Sequence, residues 1–278
     1  MDNEIIKGDR SKSFKNFVTN ILKNLPPSLI EKLTTYESLQ LYSDALTSRR
    51  VNNIRNYEIF EQLGDVTINK FVVYYMYERF PQLRNTGGVD VVAKLKIKYV
   101  SGETLQGLAE DLNMWPFITA YAEDKNGPLK RKKLMEDVFE AFMGATEYLI
   151  DFQIYKTVGL GYNILYKLLK EMYDKIDISL KYEILVDAKT RLNELIAAFT
   201  IGKIRYYNGD LNQYGINTSD IILETPEKNF IKIGSGRADT IRQAQEEAAE
   251  NAIKYLYDKR GYYKDPPERF RIFSNWVI

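Results

Sequence analysis

Two short runs of acidic residues, each set among apolar neighbours, carry the chemistry open to this chain. Glu58, Glu61 and Asp65 stand at i, i+3 and i+7, so on a helix turning about 100° per residue they share an arc of roughly 60°. Asp137 and Glu140 stand at i and i+3, one above the other on a second helix. Such spacing ordinarily marks a solvated helix face. Here the intervening residues include Ile59, Phe60, Leu63, Val138 and Phe139, and carboxylates in apolar surroundings are costly to bury unless a cation or donor network compensates them. A hard divalent cation, Mg²⁺ with Mn²⁺ in its place, suits a site made only of oxygens. Such an ion lowers the pKa of a bound water and stabilises charge developing on a phosphodiester.

Absent residue types narrow the field further. The chain has no cysteine and no histidine, which excludes disulfides, thiolate nucleophiles, imidazole ligands and Ser-His-Asp machinery. Carboxylates, Lys, Tyr, backbone dipoles or an oxygen-held metal remain. A cysteine-free chain fits a cytoplasmic location. The charged segment from Met1 to Asn16 does not resemble a signal peptide, and the apolar-aromatic run Phe71 to Tyr77 is too short for a bilayer, so no membrane partner is expected. Net charge is +1, so any nucleic-acid partner must be met by local basic clusters.

The elements that position the acids follow from apolar periodicity. Helices are expected over 14–25, stopped by Pro26-Pro27, over 28–35, and over 56–80, the last apolar on most faces and ended by Pro81. Further helices fall near 91–99, 103–112, 132–152 and 154–176. Gly64, Ala141, Gly144 and Ala145 are small enough to let the two acid-bearing helices approach closely. From Asp187 the pattern changes to a helix ending near Phe199, strands at 203–207, 220–224 and 230–233, and a helix over 240–259. That α-β-β-β-α module is a complete small domain.

The two acidic runs resemble the signature helices of the ribonuclease III family, whose motifs read approximately NERLEFLGDA and DxxEAxxGA. Tyr57 to Asp65 aligns without a gap. Ala45-Leu46-Thr47-Ser48-Arg49 is similar to the family's ALTHRS element and Ser101-Gly102-Glu103-Thr104-Leu105 to its NETL element, in the correct order. The resemblance implies that Glu61, Asp65, Asp137 and Glu140 hold metal and that Glu58 lies close to the scissile phosphate. It also implies a homodimer cutting both strands of double-stranded RNA to 5′-phosphate and 3′-hydroxyl ends. Gln62 replaces the aromatic residue by which family members plug into the partner subunit, which leaves a heterodimer open.

Downstream, Asp187-Ala188-Lys189-Thr190-Arg191-Leu192 and Gly234-Ser235-Gly236 with Ala244, Ala248 and Ala249 resemble a double-stranded-RNA-binding domain. Lys189, Arg191, Arg237 and Arg242 are its candidate RNA contacts, and Lys130, Arg131, Lys132 and Lys133 are candidates beside the second acidic helix. From Lys181 to Arg260 there are twelve Lys/Arg and twelve Asp/Glu, a balance that predicts weak, salt-sensitive RNA binding. The resulting expectation is an all-α ribonuclease III-type nuclease domain followed by a small α+β module. Its boundaries are an N-terminal extension 1–27, a nuclease domain 28–178, a linker 179–186, an RNA-binding-like domain 187–260 and a tail 261–278. The competing expectation is a catalytically silent homologue acting as an RNA-binding or ribonucleoprotein assembly subunit. The nuclease reading requires the two acid pairs to converge, with no lysine ammonium filling the space between them.

Overall fold

Serine and threonine hydroxyls start the first helices. Ser11 accepts from the Ser13 N–H to open α1 (Lys12–Ile21), α2 covers Pro27–Leu33, and Thr35 accepts from the Ser38 N–H to open α3 (Tyr36–Ala45). The computed structural model describes residues 4–209 and 216–274. The chain divides into two compact units, Met1–Asn85 with Leu95–Ile178 and Thr86–Lys94 with Ser179–Ile278. The first three residues of the expected extension and the last four of the expected tail lie outside the described residues.

Two long helices form the spine of the first unit: α4 (Glu58–Arg79) and, after α5 (Gly88–Tyr99), α6 (Gly102–Asp111) and α7 (Ala122–Asn126), α8 (Pro128–Tyr148). Both bury residues on several faces, Ile68, Phe71, Val72 and Met76 on α4 and Val138, Phe139, Phe142 and Met143 on α8. They cross where Gly64 and Gly144 face each other's backbone. A Cβ on Gly64 would fall on the Glu140 carbonyl, and one on Gly144 would fall on the Phe60 carbonyl. The segment 4–27 is part of this core. Phe17 stacks on Phe117 at 4.0 Å and meets Phe142 edge-on, and the short strand β1 (Ile5–Ile6) pairs antiparallel with β2 (Ala120–Tyr121).

The single helix expected over 154–176 is shorter. A π-helical turn follows α8 at Leu149–Ile154, and α9 runs over Leu160–Tyr173. Asp151 explains the break: its buried carboxylate accepts from the backbone N–H groups of Gly159 (2.7 Å) and Gly161 (2.5 Å), and Gly159 takes a left-handed φ of 96°. A side-chain carboxylate thereby satisfies N–H groups that helical carbonyls would otherwise have taken.

In the second unit, α10 (Tyr182–Leu185) precedes α11 (Ala188–Phe199), which is capped by Asp187. Strands β3 (Lys203–Gly209), β4 (Asn217–Glu224) and β5 (Phe230–Ala238) form an antiparallel sheet in the order β3-β4-β5, and α12 (Ile241–Arg260) closes the module. Leu192, Leu195 and Ile196 from α11 meet Ile221, Leu223, Ile233 and the Ala248, Ala249, Ala252 stripe of α12 in one core. Gly234 and Gly236 are needed there, since a Cβ on either would strike the carbonyls of Ala248 or Ala244. The tail adds α13 (Glu268–Ser274), whose Phe270 is buried against Tyr182. Among the described residues, no helix is long and apolar enough to cross a membrane.

Candidate metal centre

The glycine crossing sets the first turns of α4 beside the middle of α8. Glu61, Asp137 and Glu140 each present a carboxylate oxygen, and the three oxygens lie within 4.8 Å of one another. Asp137 and Glu140 are buried and Glu61 is half-buried. Two of the five expected acids stand further out. Asp65 is exposed and accepts from Asn69 Nδ2 at 2.7 Å, although its charge still bears on Glu140. Glu58 pairs with Arg49 at 2.8 Å.

Glu136 joins the cluster although the i, i+3 pattern passed over it. Its Oε2 lies 3.7 Å from the Lys133 ammonium, it is half-buried, and its i, i+4 spacing to Glu140 is the sequence signal that could have found it. Burial first, and then neighbouring carboxylates, raise the pKa values of Glu61 and Glu140, the latter to about 8. Burial also raises those of Asp137 and Glu136, opposed by Lys133. Four acids so placed repel one another in a half-dry site, an arrangement that a cation relieves.

Lys133 supplies part of that relief. It was expected to meet RNA, yet its ammonium turns onto the acids, 2.7 Å from Asp137 Oδ1 and 4.0 Å from Glu61. It makes no ion pair within 4.0 Å with Glu140 among the described residues. From a largely exposed side chain it thus bridges Glu61 of α4 and Asp137 of α8, partly filling the space between the acid-bearing helices that the nuclease reading needs open, and leaves Glu140 beyond its reach. Asp137 is buried, and the close partners of its carboxylate are the Lys133 ammonium and the Tyr57 hydroxyl. An all-oxygen donor set within 4.8 Å and raised carboxylate pKa values together fit a hard divalent cation.

The other basic candidates are mostly engaged within the protein. Lys130 pairs with Glu123, and Arg131 lies 3.7 Å from Glu110 and over the Trp115 ring. Lys132 is partly exposed on α8. In the second unit Lys189 donates to Gln245 at 2.6 Å, and Arg191 pairs with Glu250 at 2.5 Å with its side chain mostly covered. Arg237 lies exposed on β5 and Arg242 exposed in the first turn of α12.

The Ribonuclease III domain family matches residues 58–148, from the first residue of α4 to the last of α8. A protein of Invertebrate iridescent virus 6, provisionally named ribonuclease 3, is 48% identical over 280 residues, covering 96% of this chain and 94% of its own. One of Frog virus 3 (isolate Goorha), named in the same provisional way, is 40% identical over 156 residues, 56% of this chain and 42% of its own. Ribonuclease 3 of Streptococcus pneumoniae (strain Hungary19A-6) is 27% identical over 220 residues, 78% and 88% of the two chains. The helical unit around the α4–α8 crossing is thus a nuclease domain. The chain belongs to the ribonuclease III family, and that membership supports an endoribonuclease function.

Proposed function

We propose that the protein is a Mg²⁺-dependent endoribonuclease that hydrolyses double-stranded RNA to products with 5′-phosphate and 3′-hydroxyl ends, Mn²⁺ serving in place of Mg²⁺. The convergence of Glu61, Asp137 and Glu140 carries this reading. These three hold the metal, and Asp65 joins them directly or through water. Bound there, the ion supplies Lewis-acid polarisation of the phosphodiester and a water of lowered pKa. Glu140 gives up its proton on metal loading, since its carboxyl is held near pH 8 without one. Tyr57, whose hydroxyl contacts Asp137, orients that carboxylate, and Glu58 helps to place RNA or the attacking water.

The protein acts as a homodimer. Ile59, Leu63 and Val66 are 65%, 40% and 66% exposed on one stripe of α4, an apolar face without cover in the single chain. The C-terminal α-β-β-β-α module is read as a double-stranded-RNA-binding domain of reduced affinity, because Lys189 and Arg191 are already held by Gln245 and Glu250.

One observation favours the silent-homologue reading: the Lys133 ammonium occupies part of the place a metal would take. The charge balance weighs against it. Lys133, with Lys132 bearing on Glu136, faces the four acids Glu61, Glu136, Asp137 and Glu140, and the exposed Lys133 chain is free to withdraw into solvent. Incubating the purified protein with a defined RNA duplex, with Mg²⁺ and with EDTA, decides between them. Metal-dependent cleavage that Glu140→Ala and Asp65→Ala abolish is the expected result. No cleavage by the wild-type protein in Mg²⁺ or Mn²⁺ would overturn the proposal.

A further inference from the structure

The outer face of the β3-β4-β5 sheet, away from α11 and α12, is open and chemically distinctive. Alternation along β4 buries Asn217, Ser219, Ile221 and Leu223 and leaves Asp220, Ile222 and Glu224 on the outer side. The register sets Lys203, Arg205 and Tyr207 of β3 opposite Glu224, Ile222 and Asp220. Across β4, Phe230, Lys232 and Arg237 of β5 face Glu224, Ile222 and Thr218. Tyr207 and Phe230 are 52% and 65% exposed.

Charge on this face is one-sided. Four cations, Lys203, Arg205, Lys232 and Arg237, meet two acids, Asp220 and Glu224, in a module whose Lys181–Arg260 balance is neutral. The helix side holds the compensating acids, with Glu246, Glu247 and Glu250 on α12. The Arg205–Glu224 and Lys232–Asp220 pairs, at 3.2 and 2.8 Å, are solvent-accessible, so their cations exchange partners at little cost. Lys203 and Arg237 have no ion-pair partner among the described residues.

We propose that this sheet face binds single-stranded RNA, with bases stacked on Tyr207 and Phe230 and phosphates along the four cations. The inference goes beyond duplex cleavage and does not depend on it. The two rings sit at opposite corners of the face, four residues apart along β4 and two strands apart, about 13 Å by about 10 Å from strand geometry. A sheet of this span suits about two or three bases of an unpaired strand. Aromatic faces accept any base, and basic side chains between them follow the backbone. A protein partner fits less well, because the charged row between the rings would lie at the centre of the contact, where stable interfaces are depleted of charge.

Fluorescence anisotropy of the full chain in EDTA, with a short unstructured RNA oligonucleotide, tests the proposal. Wild-type protein is expected to bind with an affinity that falls as salt rises. Tyr207→Ala with Phe230→Ala should weaken binding at least about tenfold, Tyr207→Phe should keep it, and Lys254→Ala, a cation removed from α12, should leave it unchanged. The rings are exposed, so a thermal melt should show the fold intact. Absence of wild-type binding, or equal binding by the double variant, overturns the proposal. It fails equally if the double variant changes only self-association in sedimentation, since the face is then a protein contact. Duplex cleavage by the same variants in Mg²⁺ reads the acidic centre separately.

Discussion

The Lys133 ammonium lies 2.7 Å from Asp137 Oδ1, one helical turn before it on α8. It also comes within 3.7 Å of Glu136 and 4.0 Å of Glu61, so it is the counterion the cluster has when no metal is bound. A divalent ion and the ammonium cannot both take the same oxygen at close range. Lys133→Met should therefore tighten Mg²⁺ or Mn²⁺ binding by on the order of tenfold, about 1.4 kcal/mol, while lowering metal-free stability. Isothermal titration and thermal melts of the two proteins check this. Equal metal affinity would show that the ammonium leaves its site without cost.

Glu140 gives the pH dependence. Its pKa is raised from 4.5 to about 8, by burial first and by Asp65 and Glu136 next. An acid whose folded pKa lies above its unfolded value contributes stability that is fully present below about pH 4.5 and is lost as pH rises through about 8. Metal-free wild-type protein should consequently lose stability against Glu140→Gln as pH climbs through that window. Thermal midpoints should diverge by roughly 2–4 °C for each kcal/mol lost, with the variant higher at alkaline pH and the two converging toward pH 5. If Glu140 is a ligand as proposed, saturating Mg²⁺ should reverse the order, because a neutral amide is a poorer ligand for a hard cation than a carboxylate.

The approach of α4 and α8 is testable at one atom. A Cβ on Gly64 would fall on the Glu140 carbonyl, which belongs to a helical backbone and cannot step aside. Gly64→Ala should cost about 1–3 kcal/mol by overpacking and weaken metal binding by moving Glu61 away from Glu140. Gly107 on α6 is the contrast, with nothing within 4 Å of a new Cβ. Gly107→Ala should stabilise by roughly 0.5–1 kcal/mol through helix propensity. Denaturant titration distinguishes the two, and matching effects would refute the contact argument.

These residues also mark what the sequence disclosed. Acid spacing together with small residues at Gly64 and Gly144 foretold that two helices would meet at their carboxylates, because helical geometry alone puts i and i+3 on one face. The strands and closing helix of the C-terminal module were likewise legible from alternation and the alanine stripe, but the strand expected to end at 233 continues through Gly234-Ser235-Gly236 to Ala238, because those glycines let α12 pack on it. What stayed hidden depends on partners distant in the chain. Lys133 reads as part of a basic run facing RNA until α4 brings Glu61 to it. Asp65 reads as equivalent to Glu61, yet it lies further round α4, exposed and bonded to Asn69. The 149–154 π-turn follows from one carboxylate, Asp151, capturing N–H groups eight and ten residues ahead, and no periodicity encodes that.

Dimer formation offers the last test. Ile59, Leu63 and Val66 occupy i, i+4 and i+7 of α4 and remain exposed beside Gln62, while the opposite side of the same helix is buried against α8. Leaving such a stripe in water is unfavourable by about 25 cal/mol for each Å² of apolar surface, so a second copy gains by covering it. At about 100° per residue the stripe lies on the side of α4 roughly opposite Glu61, so a second copy would cover it without itself covering the acids. Leu63→Asp should shift the protein from dimer to monomer in sedimentation velocity at micromolar concentration and keep its helical circular dichroism. It should also reduce cleavage of both strands together. A variant that remained dimeric would place the interface elsewhere, and a wild-type protein that ran as a monomer on its own would point to a different partner chain for this face.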